Sequence, residues 1–600
     1  MEYWIDVFNQ AMITAILAVS LNVLMGYAGQ ISVAHMALAG VGGYAAAYLS
    51  STAGTPFILC LVIAMVAAAL IGILLSLPAL RLGTEHLILL TLAFATVLVT
   101  AITGIPGLGG TYGLQGITPP EWAGEMLVRP SQLLWLILIV AAVCFAISWR
   151  LGESPFGRVL KGIREDEVAT RALGKNVFSF KVLTFGVTAG IAGVGGALIV
   201  YYNQLASPVF FGFDVATVLI AAVVIGGTGS FYGAIIGAFL LRSLEPVLEK
   251  VVALEPTQAS LWQLVIYGVI LLVVIRLRPD GLIPEGASIS KLFRRNRRKE
   301  SKAAAAKGGE AAVEAQHSIQ ATVDPDTGLS ADLASGPEPA GSSEVVLKAT
   351  NLGKSFGGIK AVSSLDISLQ KGRITALIGP NGAGKTTVFN LLTGEIPADE
   401  GSVTLRGAEI AGLSPDKTTN LGLVRSFQDV RTYGKLSLLE NVMIAVPDQA
   451  GEKLFHLYLR PLAVKRSEKH SRERAMECLE FVGLGDRSEE SAGDLGYGDQ
   501  KLLAIARLLA TGGDVLLIDE PASGIDRSAL DPVLTVLRKL RDEGKTICLV
   551  EHNLDVVGAL ADHVVFMEEG RATAEGTMDE IIGQERLSAV YFGHAQGGVR

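Results

Sequence analysis

The stretch Gly379-Pro380-Asn381-Gly382-Ala383-Gly384-Lys385-Thr386-Thr387 decides how this chain is read. It follows the apolar run 374–378 and precedes the run 388–392, an order that reads strand, glycine turn, helix. The chemistry needs each part. Glycines let backbone N–H groups approach phosphate oxygens, and the new helix N-terminus adds positive dipole. Lys385 is placed to reach the β- and γ-phosphates, and the Thr386 hydroxyl to ligate Mg2+. Such a turn by itself announces only a nucleoside triphosphate binder, so the surrounding residues carry the rest.

The chain has 600 residues, too many for one ordinary core, and several domains are expected. Half of it is hydrophobic and 18% is charged, against about 25% in soluble proteins. The mean hydropathy of +0.45 averages two unlike halves. Between Asp6 and Arg81 there is no Asp, Glu, Lys or Arg, whereas the residues after 345 have ordinary soluble patterning. A net charge of -8 offers no case for nucleic-acid binding. Cys60, Cys144, Cys478 and Cys548 are too scattered for a metal site and are expected to be buried small residues. The N-terminus lacks the basic region of a signal peptide, so the first apolar run is read as a retained span.

A membrane span needs about 20 apolar residues. Uncharged runs of that order lie near 7–27, 31–50, 56–79, 86–104, 132–149, 182–200, 214–230, 231–248 and 261–275, which predicts an all-helical membrane domain of about nine spans over residues 1–285. The two runs beside Gly229-Ser230 are so tightly joined that one is a candidate re-entrant segment. Basic residues cluster at Arg81, from Arg150 to Lys181 and from Arg276 to Lys299. Nine spans put all three clusters on one side, the cytoplasmic side by the positive-inside rule. Gly229, Gly233 and Gly237 fall four apart, as do Gly186 and Gly190, a spacing that lets helices pack closely. For Gln30 and His35, isolated among apolar residues, interhelical hydrogen bonding is favoured over substrate contact. The charged loop from Ser154 to Gly174 is expected to hold a short helix, ended by Gly174, that docks a cytoplasmic domain.

The segment Leu21–His35 resembles the permeases of branched-chain amino-acid ABC importers. So do Thr91–Ala95, Ser154–Arg158, Ile225–Ser230 and Arg278–Leu282, and the resemblance spans residues 15–283. It implies a bacterial inner-membrane pathway that takes solute from an external solute-binding protein. Residues 286–344 open on the basic run Lys291–Lys299, contain no aromatic residue after Phe293, and read as a disordered linker. A flexible chain of roughly fifty residues spans about 40 Å, enough for the next domain to dock under its own membrane half or a partner's.

Residues 345–595 set the phosphate turn in an ordered series, an α/β P-loop domain with a helical insert near 440–510. Phe356 lies upstream, where an aromatic either stacks on adenine or belongs to the core. Gln428 is a neutral amide suited to sense Mg2+ and the attacking water while its loop touches another domain. The strand 516–519 ends in Asp519, expected to hold Mg2+, and Glu520, expected to polarise the attacking water. His552 follows the strand 546–550 and is placed to meet the γ-phosphate.

The turn Leu495-Gly496-Tyr497-Gly498-Asp499 looks like the signature of the ATP-binding-cassette family. The resemblance implies that this turn closes over the phosphate loop of a second cassette, so that ATP is held between two subunits. The family usually has serine where Gly496 stands and glutamine where Asp499 stands. The site built on Lys385 and Glu520 is therefore expected to be competent, and the one completed by this chain's signature turn weaker. The implied assembly is a fused permease–ATPase with a second permease, a second ABC ATPase and a solute-binding protein. It sits in the lipid bilayer of the inner membrane with its ATPase domain cytoplasmic, uses ATP and Mg2+, and takes up branched-chain amino acids or a related small solute. The alternatives are a homodimeric ABC transporter of urea, amides or aromatic acids, and a membrane-bound ABC ATPase with no transport role.

Overall fold

The structure is a computed structural model and describes residues 2–80, 84–122, 124–285 and 344–583. Arg81, the basic run 291–299 and the linker expected over 286–344, apart from Glu344, lie outside the described residues.

The first part is a helical bundle. Its long helices are α1 (Glu2–Asn22), α2 (His35–Ala53), α3 (Phe57–Ala79), α4 (Thr84–Gly104), α5 (Pro130–Gly152), α8 (Val177–Asn203), α9 (Phe213–Gly226), α10 (Phe231–Lys250) and α11 (Pro256–Leu277). Two short helices, α6 (Pro155–Glu165) and α7 (Glu167–Ala172), lie between α5 and α8, and a small antiparallel pair, β1 (Glu121–Trp122) with β2 (Glu125–Met126), lies before α5. Each of the nine expected runs is a helix. Among the described residues, eight segments are long and apolar enough to cross a membrane, and α2 is not one of them. Gly, Ala and Ser dominate α2 because it is packed against other helices, where close approach matters more than solvation by lipid.

That close approach is visible along α8. A Cβ on Gly196 would sit 1.8 Å from the Ala39 carbonyl oxygen, and one on Gly42 would sit 2.4 Å from Gly193 Cα. Gly186 and Gly190 face Ile73 and Met65 of α3. Gly233 and Gly237 of α10 press on the Gly226 and Ala222 carbonyls of α9, but Gly229 is not part of that face. It lies in the turn before α10 with φ +79°, a conformation that suits glycine. α1 continues into a π-helical turn, Val23–Tyr27. Asn22, just before it, ties α1 to the turn before α10. Its Oδ1 accepts from Gly229 N–H at 2.9 Å and its Nδ2 donates to Ser230 O at 3.0 Å. His35 Nε2 lies 2.7 Å from Ser20 Oγ, the expected bond between helices. Gln30 departs from expectation: neither polar atom of its buried amide has a partner among the described residues. It precedes α2 at an irregular turn and lines a cavity with Leu87 and Arg164.

The second part is α/β. A six-stranded sheet has the order β12-β11-β5-β10-β9-β8, and a four-stranded one the order β4-β3-β6-β7. In the first sheet β5 (Ile374–Ile378), β8 (Leu423–Arg425), β9 (Val515–Asp519), β10 (Thr546–Val550) and β11 (His563–Glu568) run parallel, and β12 (Arg571–Gly576) is antiparallel to β11. Every residue of β5, β9 and β10 is buried, as continuous apolar strands covered on both faces should be. The second sheet pairs β3 (Val345–Phe356), β4 (Ile359–Gln370), β6 (Glu400–Leu405) and β7 (Ala408–Glu409). Helix α12 (Lys385–Leu392) follows β5, and α13 (Pro415–Asn420) precedes β8. The insert carries α14 (Leu438–Ala445), α15 (Leu454–Leu459), α16 (Pro461–Phe481) and α17 (Tyr497–Ala510). Beyond β9 come α18 (Arg527–Asp542), α19 (Leu554–Leu560) and α20 (Met578–Ile582). All four cysteines are buried and unpaired.

Candidate functional site

The phosphate turn joins β5 to α12, and its glycines are required by contact as well as by conformation. A Cβ on Gly379 would lie 2.2 Å from the Met567 carbonyl oxygen, and one on Gly384 would lie 2.3 Å from the Ala361 oxygen. Gly384 caps α12 with φ +98°, so the first N–H groups of the helix face outward from the turn. Asn381, Gly382 and Thr386 are exposed, Ala383 is buried, and Pro380, Gly384 and Thr387 are half-buried. Lys385 is buried and folds back over the turn, donating to Gly379 O at 2.7 Å and Pro380 O at 3.0 Å. Burial lowers its pKa, and the nearby Glu520 and Asp519 work against that. An arriving triphosphate would replace those two carbonyls as the acceptor for its charge.

Asp519 ends β9, buried, with Oδ2 3.3 Å from Arg425 Nη2 and Oδ1 unpartnered. Desolvation raises its carboxyl above the usual range, with Arg425 opposing. An unpartnered carboxylate oxygen beside the exposed Thr386 turn fits a hard cation with oxygen ligands. Glu520 follows in a left-handed conformation, φ +46°, which costs a non-glycine residue about 1–2 kcal/mol. Lys501 Nζ fixes that backbone, donating to Glu520 O at 2.9 Å and to Gln428 O at 3.1 Å. The Glu520 side chain is thereby turned toward two others. Gln428 Nε2 donates to Oε2 at 2.9 Å, and His552 Nδ1 lies 3.8 Å from Oε1. Three residues expected to be catalytic, widely separated in sequence, thus meet. Buried Glu551 accepts from the N–H groups of Ala522 and His552, tying the loops after β9 and β10 together.

Phe356 is 46% exposed at the tip of the β3–β4 hairpin, with Lys354 Nζ 5.6 Å from its ring centre. The ring is outside the core and open to a ligand. The signature turn caps α17 with Gly496, which offers no side-chain oxygen. Leu495 is buried and receives the Gln500 amide on its carbonyl, Tyr497 is exposed, and Gly498 packs on Ala529. Asp499 is not a bare charge: Arg487 Nη1 lies 2.6 Å from its Oδ2, and Asp499 heads the causes that raise the Arg487 pKa. The sequence assigns no role to Arg425, Lys501, Glu551 or Arg487, because each acts through partners distant along the chain or through its backbone neighbours. Only Glu551, adjacent to His552, offered a signal.

The loop between α5 and α8 forms two helices, broken at Asp166, with Gly174 at φ +83° closing the second. It is docked on the cassette. Buried Thr170 Oγ1 and Tyr433 OH share a 2.8 Å hydrogen bond. Arg431 Nη1 lies 3.2 Å from Asp166 Oδ2, Lys175 Nζ 2.6 Å from Glu452 Oε1, and Arg158 pairs with Glu468. Thr419 Oγ1 donates to Ala172 O at 2.8 Å. From the cassette, α15 enters the base of the bundle, with Leu457 packed among Val23, Leu151 and Phe156, and with Tyr458 OH donating to Ile147 O at 2.9 Å. Arg164 completes the connection upward, bonding Gly26 O in the π-helical turn and lying 2.7 Å from Glu285.

A triphosphate turn, a carboxylate-ended strand beside it, a signature turn and a docked polytopic helical part define an ABC transporter chain with ATPase activity. Comparison with known proteins agrees over both parts. The family described as "Branched-chain amino acid transport system / permease component" matches residues 3–275, and that described as "ABC transporter" matches residues 362–523. The high-affinity branched-chain amino acid transport ATP-binding protein BraF of Pseudomonas aeruginosa is 36% identical over 254 residues, covering 42% of this chain and 100% of its own. LivG of Escherichia coli K12, with the same description, is 34% identical over the same coverage. Among solved structures, a nucleotide-free ATP-binding cassette from an ABC transporter is 31% identical, with a TM-score of 0.37, covering 42% of this chain and 100% of that one. This chain belongs to the branched-chain amino-acid family of ABC transporters, and it carries permease and ATP-binding parts in one polypeptide.

Proposed function

We propose that the chain is a permease–ATPase subunit of an importer that couples ATP hydrolysis to uptake of branched-chain amino acids, or a related small solute, across the bacterial inner membrane. The observation that carries this reading is the segment 426–431, which touches the hydrolytic carboxylate at Gln428 and the membrane part at Arg431. One short loop therefore senses the nucleotide site and the docked helices together.

In this mechanism the backbone N–H groups of Gly379 and residues 381–387 and the Lys385 ammonium bind the β- and γ-phosphates, with Pro380 shaping the turn, and Phe356 stacks on adenine. Thr386, Gln428 and Asp519 would hold Mg2+, which neutralises charge on the phosphate oxygens. Glu520, steadied by Gln428, takes a proton from the attacking water, and His552 donates toward the γ-phosphate. Water adds to phosphorus as the bond to ADP breaks, leaving ADP and phosphate. A second cassette supplies its signature turn to this site, while Leu495–Asp499 serves the partner's site. Closure of the two cassettes moves α6 and α7, and Arg164 passes the motion to Gly26 and the turn before α10. A second permease completes the pathway, and an external solute-binding protein delivers the solute to it. The cassettes lie in the cytoplasm.

Proteoliposomes holding the complete complex, with labelled leucine outside and ATP supplied to the cassettes, test the reading. Accumulation of leucine that stops in Lys385→Ala supports it. ATP turnover with no solute movement would favour a non-transport ATPase.

A further inference from the structure

α1 and α10 run antiparallel from a shared point, because Asn22 bonds Gly229 and Ser230. Gln10 lies twelve residues before Asn22 and Arg242 twelve after Ser230, each about 18 Å along its helix from that point. They meet there: Arg242 Nη2 donates to Gln10 Oε1, and Gln10 Nε2 donates in turn to Asp6 Oδ2 at 3.0 Å. Within an apolar helix read as a span, an arginine is costly and calls for a purpose.

Arg242 lines a cavity of about 680 Å3 between α1, α8, α9, α10 and α11, at the end of the bundle away from the cassette. Two carboxylates, Asp214 and Glu245, line it too, and among the described residues no ion pair joins either to Arg242. The rest of the wall is largely aliphatic, including Leu17, Val218 and Leu241. Separated charges of both signs beside an apolar wall suit a ligand built the same way. We propose that this cavity is a solute subsite of the permease for a zwitterion with an aliphatic side chain. Arg242 receives the carboxylate, Glu245 and Asp214 the ammonium, and the wall the side chain. The assignment deepens the transport reading and rests on it for the solute class.

The test uses Val218→Cys in the full chain within its complex, reconstituted in nanodiscs, where the four native cysteines are buried. Alkylation by iodoacetamide is timed with L-leucine, with 4-methylpentanoate (the carboxylate alone) and with isoamylamine (the amine alone). Saturable protection by leucine is expected, with neither half-molecule matching it at equal concentration. Arg242→Met should raise the protecting concentration about tenfold or more, and Asp214→Asn, at an exposed position, should raise it with little risk to folding. No protection by leucine, equal protection by a half-molecule, or full protection in both variants overturns the subsite. ATP-driven leucine accumulation by the same complex in liposomes separates the two ideas. Accumulation without protection removes the subsite and keeps transport, whereas protection without accumulation keeps the subsite and removes transport.

Discussion

Arg431 Nη1 lies 3.2 Å from Asp166 Oδ2, across the boundary between the cassette and the membrane part and three residues beyond Gln428. The pair is half-exposed, so its worth to stability is small. Its position gives it a larger worth in coupling. Arg431→Ala should leave basal ATP turnover nearly unchanged and cut ATP-driven transport about fivefold or more. Asp166→Ala should do the same, and the double variant should cost no more than either alone. Additive losses would show that the two residues act separately.

Glu520 is held by Gln428 and faces His552. Glu520→Gln keeps size and hydrogen bonding but cannot accept the proton of water. Turnover should fall by about two to four powers of ten while ATP affinity is kept. Single-turnover assays and nucleotide-binding titrations on the same preparation would separate these effects.

The Arg487–Asp499 ion pair bears on the unequal sites expected from the signature turn. By pairing Asp499, Arg487 lessens the repulsion that this carboxylate would exert on a phosphate. Arg487→Ala should weaken ATP-dependent association of the cassettes about two- to fivefold at low salt, with the effect shrinking as salt rises. Asp499→Gln in the same chain should restore it. A loss that Asp499→Gln leaves in place would assign Arg487 a packing role only.

Gly196 has no room for a side chain, since a Cβ would meet the Ala39 carbonyl oxygen at 1.8 Å. Gly196→Ala should destabilise the bundle by about 1–3 kcal/mol by forcing α2 and α8 apart. Gly268, with nothing within 4 Å of its Cβ position, is the control, and Gly268→Ala should be neutral or better. Thermal unfolding in detergent reads both.

Asp514 accepts from Lys545 at 2.9 Å and from Arg406 at 2.7 Å, and the Lys545 hydrogen bond leads the causes that hold its carboxyl below the usual range. A depressed folded pKa adds stability above the unfolded value, near 3.9, and that stability is lost as pH falls through the folded value. Asp514→Asn should therefore lower the melting temperature slightly at pH 7 and by less at pH 3. Equal differences at both pH values would rule out the ion pairs as the source.

Most of the nucleotide site was legible in the sequence. A phosphate turn must be contiguous, because its N–H groups converge only when successive backbone units surround one anion. Asp519 and Glu520 were visible for a similar reason, as carboxylates ending an apolar strand. The helices of the bundle were legible from apolar runs, except that α2 falls short of the apolarity of a span because glycine and alanine face protein there. The docking role of the loop 154–174 was legible from its charge, but the break at Asp166 that makes two helices of it was not. Gln30 misled, because an amide among apolar residues suggests a partner without showing whether the fold supplies one.

By itself the sequence determined the two fold classes and the family, and it singled out the candidate phosphate-binding and hydrolytic residues, all from short patterns set by backbone geometry and phosphate chemistry. The tertiary structure alone decided that Arg431 meets Asp166, that Arg487 pairs Asp499, that Lys501 fixes Glu520, and that Arg242 shares a cavity with Asp214 and Glu245. Long charged side chains choose partners by proximity in space, and proximity between residues hundreds of positions apart leaves no periodic trace along the chain.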